Sequence, residues 1–209
     1  MKHQYYADSR DVAKWSTLIR LAREQSVQKI VQIAMLTPDG ASSHGLKRDD
    51  PRDADPIVAK FFAEERLLIR QSPAQKQIDR ITRLGKRFTP PLVIEVISDP
   101  YQNRNRRQYF ENVCSRLSDI GQPVIAFADP DTGIAGGKPS SNHITIQGLN
   151  AIWCALQGSS LLVVFQHEQH ATNWAEASRE RLASALEIAV DEVGQSTYPR
   201  VTFLFARKR

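Results

Sequence analysis

Pro-Val-Ile-Ala-Phe-Ala-Asp-Pro-Asp, residues 123–131, is the stretch whose reading decides the fold, with Thr132-Gly133 closing it. Val124 to Ala128 form an unbroken apolar run, β-branched at Val124 and Ile125 and bracketed by Gly121 on one side and Pro130 and Gly133 on the other. A run this short between turn residues predicts a strand buried on both faces, as in a parallel sheet. Two acids, Asp129 and Asp131, stand directly at its carboxyl end. In open α/β sheets the ligand crevice lies outside the carboxyl ends of the strands. Acids placed there are candidates for metal binding, cofactor binding or acid–base work. As ordinary turn formers they can equally cap the turn and remain solvated.

Similar runs flank this strand. Residues 28–36, 92–97 and 160–165 read as further buried strands, and 201–206 as the last one. Residues 67–70 read as a short edge strand. Helical spacing of apolar residues predicts helices over 9–25, 57–65, 74–84, 107–119, 145–156 and 173–193. In the first of these, Val12, Trp15, Leu18, Ile19 and Ala22 make one stripe, with Asp8 or Ser9 as N-cap. Residues 194–199 read as a turn, and 40–56 as a long polar loop. Strands alternating with helices imply a mostly parallel, Rossmann-like α/β sheet with helices on both faces. The last strand follows a long helix and a short turn, so it can insert antiparallel. With 209 residues and no break in composition, the expectation is a single α/β domain over 1–209.

The net charge of +5 is a mild basic excess, compatible with a nucleic-acid partner. Arg104, Arg106 and Arg107 lie close to Tyr101, a pairing that suits phosphate or nucleic acid as well as it suits an exposed helix start. Lys138 follows two glycines in a loop that Pro139 excludes from the phosphate-loop pattern. The two cysteines, Cys114 and Cys154, fall in helices and read as buried thiols rather than a disulfide or zinc pair. No secretory leader and no apolar run of membrane-spanning length is visible, so a cytoplasmic protein without a membrane partner is expected.

A second strand ends in functional groups. Residues 160–165 run into Gln166-His167-Glu168-Gln169-His170. If this strand neighbours the one ending at Asp129, then Asp129, Asp131 and His167 converge. A histidine beside carboxylates can act as a general base. Two aspartates and a histidine also make a plausible divalent-metal set. His170 could join them across a helical turn, or both histidines could be structural.

Tyr6-Ala7-Asp8-Ser9-Arg10-Asp11-Val12-Ala13-Lys14-Trp15 resembles the N-terminal signature of the bacterial ribosomal RNA adenine-N6 methyltransferases, which carry Asp-Val-x-Lys on the first helix. That family folds as a class I S-adenosylmethionine-dependent methyltransferase and has Asp-Pro-Pro-Tyr after its fourth strand, where Asp129-Pro130 stands here. The chain also resembles a bacterial group of no assigned activity that shares the Asp-x-x-Lys helix, the Asp-Pro-Asp-x-Gly turn and a late strand ending in histidine. The resemblance implies that Asp11 and Lys14 face the crevice as catalytic residues with Asp129, Asp131 and His167. It also implies S-adenosylmethionine at the turns closing the first two strands, at Thr37, Asp39, Gly40 and Asp99. Two features depart from the pattern: the first turn, Leu36-Thr37-Pro38-Asp39-Gly40, has one glycine, and Asp131-Thr132 replaces Pro-Tyr.

Three function classes follow. One is a methyltransferase-like protein acting on nucleic acid with an altered S-adenosylmethionine site. Another is a metal-dependent hydrolase or nuclease using Asp129, Asp131 and His167. The third is a non-catalytic protein that binds nucleic acid or a partner through Arg104, Arg106, Arg107 and Lys138. As a turn-end acid, Asp129 is expected to add little to stability.

Overall fold

A computed structural model describes residues 2–39, 51–169 and 172–209. The elements in chain order are α1 (Ser9–Glu24), β1 (Lys29–Ile33), α2 (Pro56–Gln71), α3 (Thr82–Gly85), β2 (Val93–Ile97), α4 (Arg106–Ser118), β3 (Ile125–Ala128), β4 (Gly133–Ile134), β5 (His143–Ile144), α5 (Ile146–Ala155), β6 (Leu161–His167), α6 (Trp174–Leu186), β7 (Gly194–Tyr198) and β8 (Val201–Arg207). The main sheet runs β2-β1-β3-β6-β8-β7, and β4 and β5 form a small parallel ribbon apart from it. β2, β1, β3 and β6 are mutually parallel. β8 pairs antiparallel with β6, and β7 antiparallel with β8. This is a Rossmann-like α/β fold with an antiparallel last strand.

The central strands read as continuous apolar runs because both their faces are covered. Ile30, Ile125, Phe127, Leu161, Val163 and Phe165 pack beneath α1 and α2, whose Val12, Trp15, Leu18, Val58, Phe61 and Phe62 fill that face. Their neighbours Val31, Ile33, Ala126, Ala128, Leu162 and Val164 pack against α4, α5 and α6 through Phe110, Val113, Leu149, Ile152 and Leu182. From β1 the chain reaches β2 on one side, while β3 and β6 lie on the other. The strand order therefore reverses between β1 and β3, which is where a fold of this kind opens its ligand crevice.

Several elements differ from the sequence expectation. Residues 67–70 belong to α2 instead of an edge strand: Val58, Phe61, Phe62, Glu65 and Ile69 keep a helical stripe buried, and Leu67 and Leu68 simply face out. Residues 194–198 form β7, an edge strand whose polar Gln-Ser-Thr composition hides its pairing with β8. The helix expected over 74–84 is two 3₁₀ turns followed by α3. Ile78, Ile81 and Leu84 still face inward, since a three-residue spacing suits a 3₁₀ turn as well as an α-helix. α6 ends at Leu186, where Glu187 takes a left-handed cap with φ 55°. Neither cysteine is fully buried: Cys114 is half-buried and Cys154 exposed. Among the described residues no helix is long and apolar enough to cross a membrane.

Candidate active site

The alternation of the strands sets the site. Gln32 on β1 shares the face of Ile30; Asp129, one step past β3, shares the face of Phe127; His167 shares the face of Phe165. All three therefore point toward α1, at the carboxyl ends of three adjacent strands. Helix α1 brings Asp11 and Lys14 to the same place, since residues three apart lie on one face. Asp8 caps the helix by accepting from the backbone N–H groups of Arg10 and Asp11.

Lys14 is the centre of the arrangement. Its ammonium lies 2.9 Å from Asp129 Oδ1, 3.1 Å from Asp129 Oδ2 and 3.4 Å from Asp11 Oδ1. It also sits 4.6 Å from the centre of the Phe165 ring, a cation–π distance. Gln32 Nε2 donates to Asp129 Oδ2 at 2.8 Å. Asp129 is wholly buried, and Asp11 and Lys14 nearly so. Buried charges persist only when paired and hydrogen-bonded, and here each has its partners at hand. Asp129 is thus more than a turn-end acid. It anchors a buried ion pair, so the description as a turn-end acid, on which the expectation of little stability rested, is corrected.

Proton affinities follow from this environment. Burial pushes the Asp11 carboxyl up to about 7, against the pull of Lys14; Asp8 and Asp129 add to the rise. Asp129 and Asp11 raise the Lys14 ammonium above its ordinary value despite the opposing effect of burial, so it stays charged at neutral pH. Burial lowers His167 below 6.5, helped by the nearby Arg10 and Arg200. His167 Nδ1 lies 3.2 Å from the Glu168 carbonyl oxygen. A carbonyl only accepts, so the proton of the neutral ring belongs on Nδ1 and the lone pair on Nε2.

A cavity of about 290 Å³ opens over these groups, lined among others by Asp11, Lys14, Asp129, Asp131, Phe165 and His167. Across the switch point, Thr37 Oγ1 donates to Asp131 Oδ2 at 2.9 Å, joining the turn after β1 to the turn after β3. The Asp-Pro-Asp-Thr-Gly turn is shaped by Gln166. Gln166 Oε1 accepts from the Ile134 N–H, and Nε2 donates to the carbonyls of Thr132 and His167. Gly133 has φ 118°, and a Cβ there would fall 2.3 Å from Gln166 Oε1. Only glycine fits that backbone conformation and that approach.

The segment before α1 is pinned as well. Ala7, at φ 68°, donates its N–H to Asp11 Oδ2 at 2.9 Å, and its carbonyl accepts from Arg66 Nε at 2.8 Å. Tyr6 donates to Glu65, which Arg80 holds through two nitrogens at 2.6 and 2.9 Å.

The structure thus gathers Asp11, Lys14, Asp129, Asp131 and His167 around one cavity. It does not assemble the expected metal set. Among the described residues no group of three or more His, Cys, Asp or Glu is placed to hold a metal ion. The physical reason is that the Lys14 ammonium already occupies the cation position against Asp129, while Asp131 turns to Thr37. The expected cofactor residues that are described stand at the neighbouring exits of β1 and β2, and each has a protein partner. Thr37 is engaged as above, Asp39 accepts from the Gln4 backbone N–H at 3.1 Å, and Asp99 is exposed beside Arg116. Gly40, like His170, lies outside the described residues. Arg104, Arg106 and Arg107 line a different cavity, between α4 and α5, while Lys138 is exposed and does not line it. Sequence reasoning missed Gln32 and Phe165. Gln32 was visible as an amide inside the apolar run of β1.

No family model matches the sequence, and no curated protein matches it either. Among solved structures the chain is similar to a crystal structure of a DUF574 family protein from Streptomyces avermitilis MA-4680. The similarity has 11% identity and a TM-score of 0.41 and covers 99% of this chain and 87% of that one.

Proposed function

We propose that this chain is an enzyme that acts on nucleic acid from a methyltransferase-like Rossmann scaffold, with its reaction centre in the crevice over β1, β3 and β6. The observation that carries the reading is the buried Lys14–Asp129 pair at the switch point, facing a neutral His167 across one cavity. A permanently charged ammonium in a dry site stabilises negative charge that develops as a group reacts. His167 Nε2 is the base that takes the proton of the attacking group. Asp11, whose affinity lies near neutrality, returns a proton or receives one.

S-adenosylmethionine would supply a methyl group on such a scaffold, but the described turn after β1 does not fit the cradle that the resemblance implies. Leu36 is bridged to Pro100, its carbonyl accepts from the Tyr101 N–H at 2.7 Å, and Thr37 is committed to Asp131. A hydrolytic reaction is the second reading, favoured because base, ammonium and proton donor are all supplied by the chain.

The test offers total RNA and DNA with tritiated S-adenosylmethionine, and the same nucleic acids alone with cleavage read on gels. Label transfer identifies the methyltransferase, and strand cleavage the hydrolase. Either activity should fall by about 10²–10⁴ in His167→Gln. Full activity in that variant, or no change to any nucleic acid, overturns the reading.

A further inference from the structure

On the opposite side of the sheet, the N-terminal ends of α4 and α5 enclose a cavity of about 640 Å³. Its floor is apolar, from Phe110, Cys114, Ala151 and the backbone of Gly148, and Arg104, Arg106 and Arg107 stand at its rim. Gly148 is what lets the Phe110 ring lie against α5, since a Cβ there would come within 2.5 Å of that ring.

Of the rim charges, Arg107 is answered by Glu111, a carboxylate lining the same cleft, at 2.8 Å, whereas Arg104 and Arg106 are treated differently. Arg23, Arg87, Arg116 and Arg200 are each answered by a carboxylate. Arg106 is held in place without being neutralised: Nε donates to the Tyr101 hydroxyl at 3.0 Å, and Nη2 reaches the Asn103 side-chain oxygen and the Ser140 carbonyl. Arg104 donates to the uncharged Gln102 amide oxygen at 2.8 Å. Among the described residues neither forms an ion pair. A guanidinium oriented by neutral acceptors keeps its charge and its geometry for an anion. α4 adds to this, because no side chain caps its first N–H groups.

We propose that this cleft binds one nucleotide of a single nucleic-acid strand, its base against Phe110 and its phosphate on Arg104 and Arg106. An apolar floor, to which the largely buried Phe110 contributes, beside fixed cationic groups is the chemistry that takes a base and its phosphate together. The inference rests on the nucleic-acid reading above and extends it. The 135–142 loop divides this cleft from the reaction crevice, with Pro139 lining the first and Asn142 the second. One strand crossing that loop reaches both.

The test is fluorescence anisotropy with a fluorescein-labelled single-stranded oligoadenylate, with adenosine monophosphate as competitor. The proteins compared are wild type, Arg104→Gln/Arg106→Gln, and Ala151→Phe to fill the cleft, each checked for an unchanged melting temperature. The proposal expects both variants to bind the oligonucleotide about tenfold more weakly or worse. It also expects the monophosphate to compete poorly. Wild-type affinity in both variants overturns it. So does a monophosphate that competes as well as the strand, which would reassign the cleft to a free nucleotide. A wild-type activity that is lost in His167→Gln, together with unaltered oligonucleotide binding in the cleft variants, would sink this inference and leave the proposed function standing.

Discussion

The two faces of the sheet end differently at the same level. Toward α4, α5 and α6, the strand exits present Ile97, Ile33, Ala128 and Val164, all buried and apolar. Toward α1 they present Gln32, Asp129, Phe165 and His167. The backbone is shared, and apart from the half-buried His167 so is burial; what differs is the parity of the side chains. On the first face burial is favourable by itself, because apolar surface leaves water. On the second it is unfavourable until each polar group finds a partner, so Lys14, Asp11 and Gln32 must arrive together. The charge cluster on that face stands at the point where the strand order reverses and lines the cavity there.

The sharpest way to break that contrast is to remove the ammonium. Lys14→Met leaves Asp129 wholly buried beside a thioether, and stripping one member from a buried pair typically costs about 3–5 kcal/mol. We expect urea denaturation to show a loss of that size. Adding Asp129→Asn removes the stranded charge while Gln32 can still bond the side-chain oxygen, so Lys14→Met/Asp129→Asn should recover much of the loss. If the double variant is no more stable than the single one, Lys14 acts through packing on Phe165 and not through its charge.

Much of this architecture was legible in the sequence. Buried strands announce themselves as short apolar runs, so β1, β2, β3, β6 and β8 were readable to within a few residues, as was the antiparallel option for β8. Parity was not. Where both faces are apolar, no alternation tells which way Phe127 or Asp129 points, and the partnership of Asp129 with Gln32 depends on it. The convergence of Asp11 and Lys14 on Asp129 came from the resemblance of the first helix, because spacing alone gives a shared face and not its direction. β7 and the α2 extension were misread for composition: polar residues pair on an edge as well as apolar ones, and Leu67 and Leu68 are exposed on a helix. The metal set was drawn from residue types alone, without Lys14, the cation that the chain itself places against Asp129.

A gentler change tests the unfavourable side of burial through pH. Asp11 has its folded-state affinity raised from 3.8 to about 7, mainly by burial. Between those values the unfolded chain releases this proton while the folded chain keeps it. Stability therefore falls as pH rises from about 4 to about 7 and is level beyond. Asp11→Asn has no such proton to hold. The melting temperature of the wild type should decline relative to Asp11→Asn over that window, and the difference should be constant above it. A difference that is flat from pH 4 to 7 means Asp11 is ionised throughout and cannot act as the proton donor.

The smallest effect separates two roles of Asp8, which borders the same crevice from the start of α1. Its carboxylate caps the helix through the Arg10 and Asp11 N–H groups, at 2.9 and 3.1 Å. Its charge also helps to raise Asp11. Asparagine is as good an N-cap as aspartate, because the amide oxygen accepts the same bonds. Asp8→Asn should therefore leave stability near the wild-type value while the Asp11 midpoint, followed by carboxyl carbon NMR, moves down. Asp8→Ala should move the midpoint similarly and also lose about 1 kcal/mol with the cap. On the opposite face no comparable pair of effects exists, since the residues at that level carry no charge. If Asp8→Asn leaves the Asp11 midpoint where it was, burial alone sets that proton affinity, and Asp8 is a cap with no part in the site.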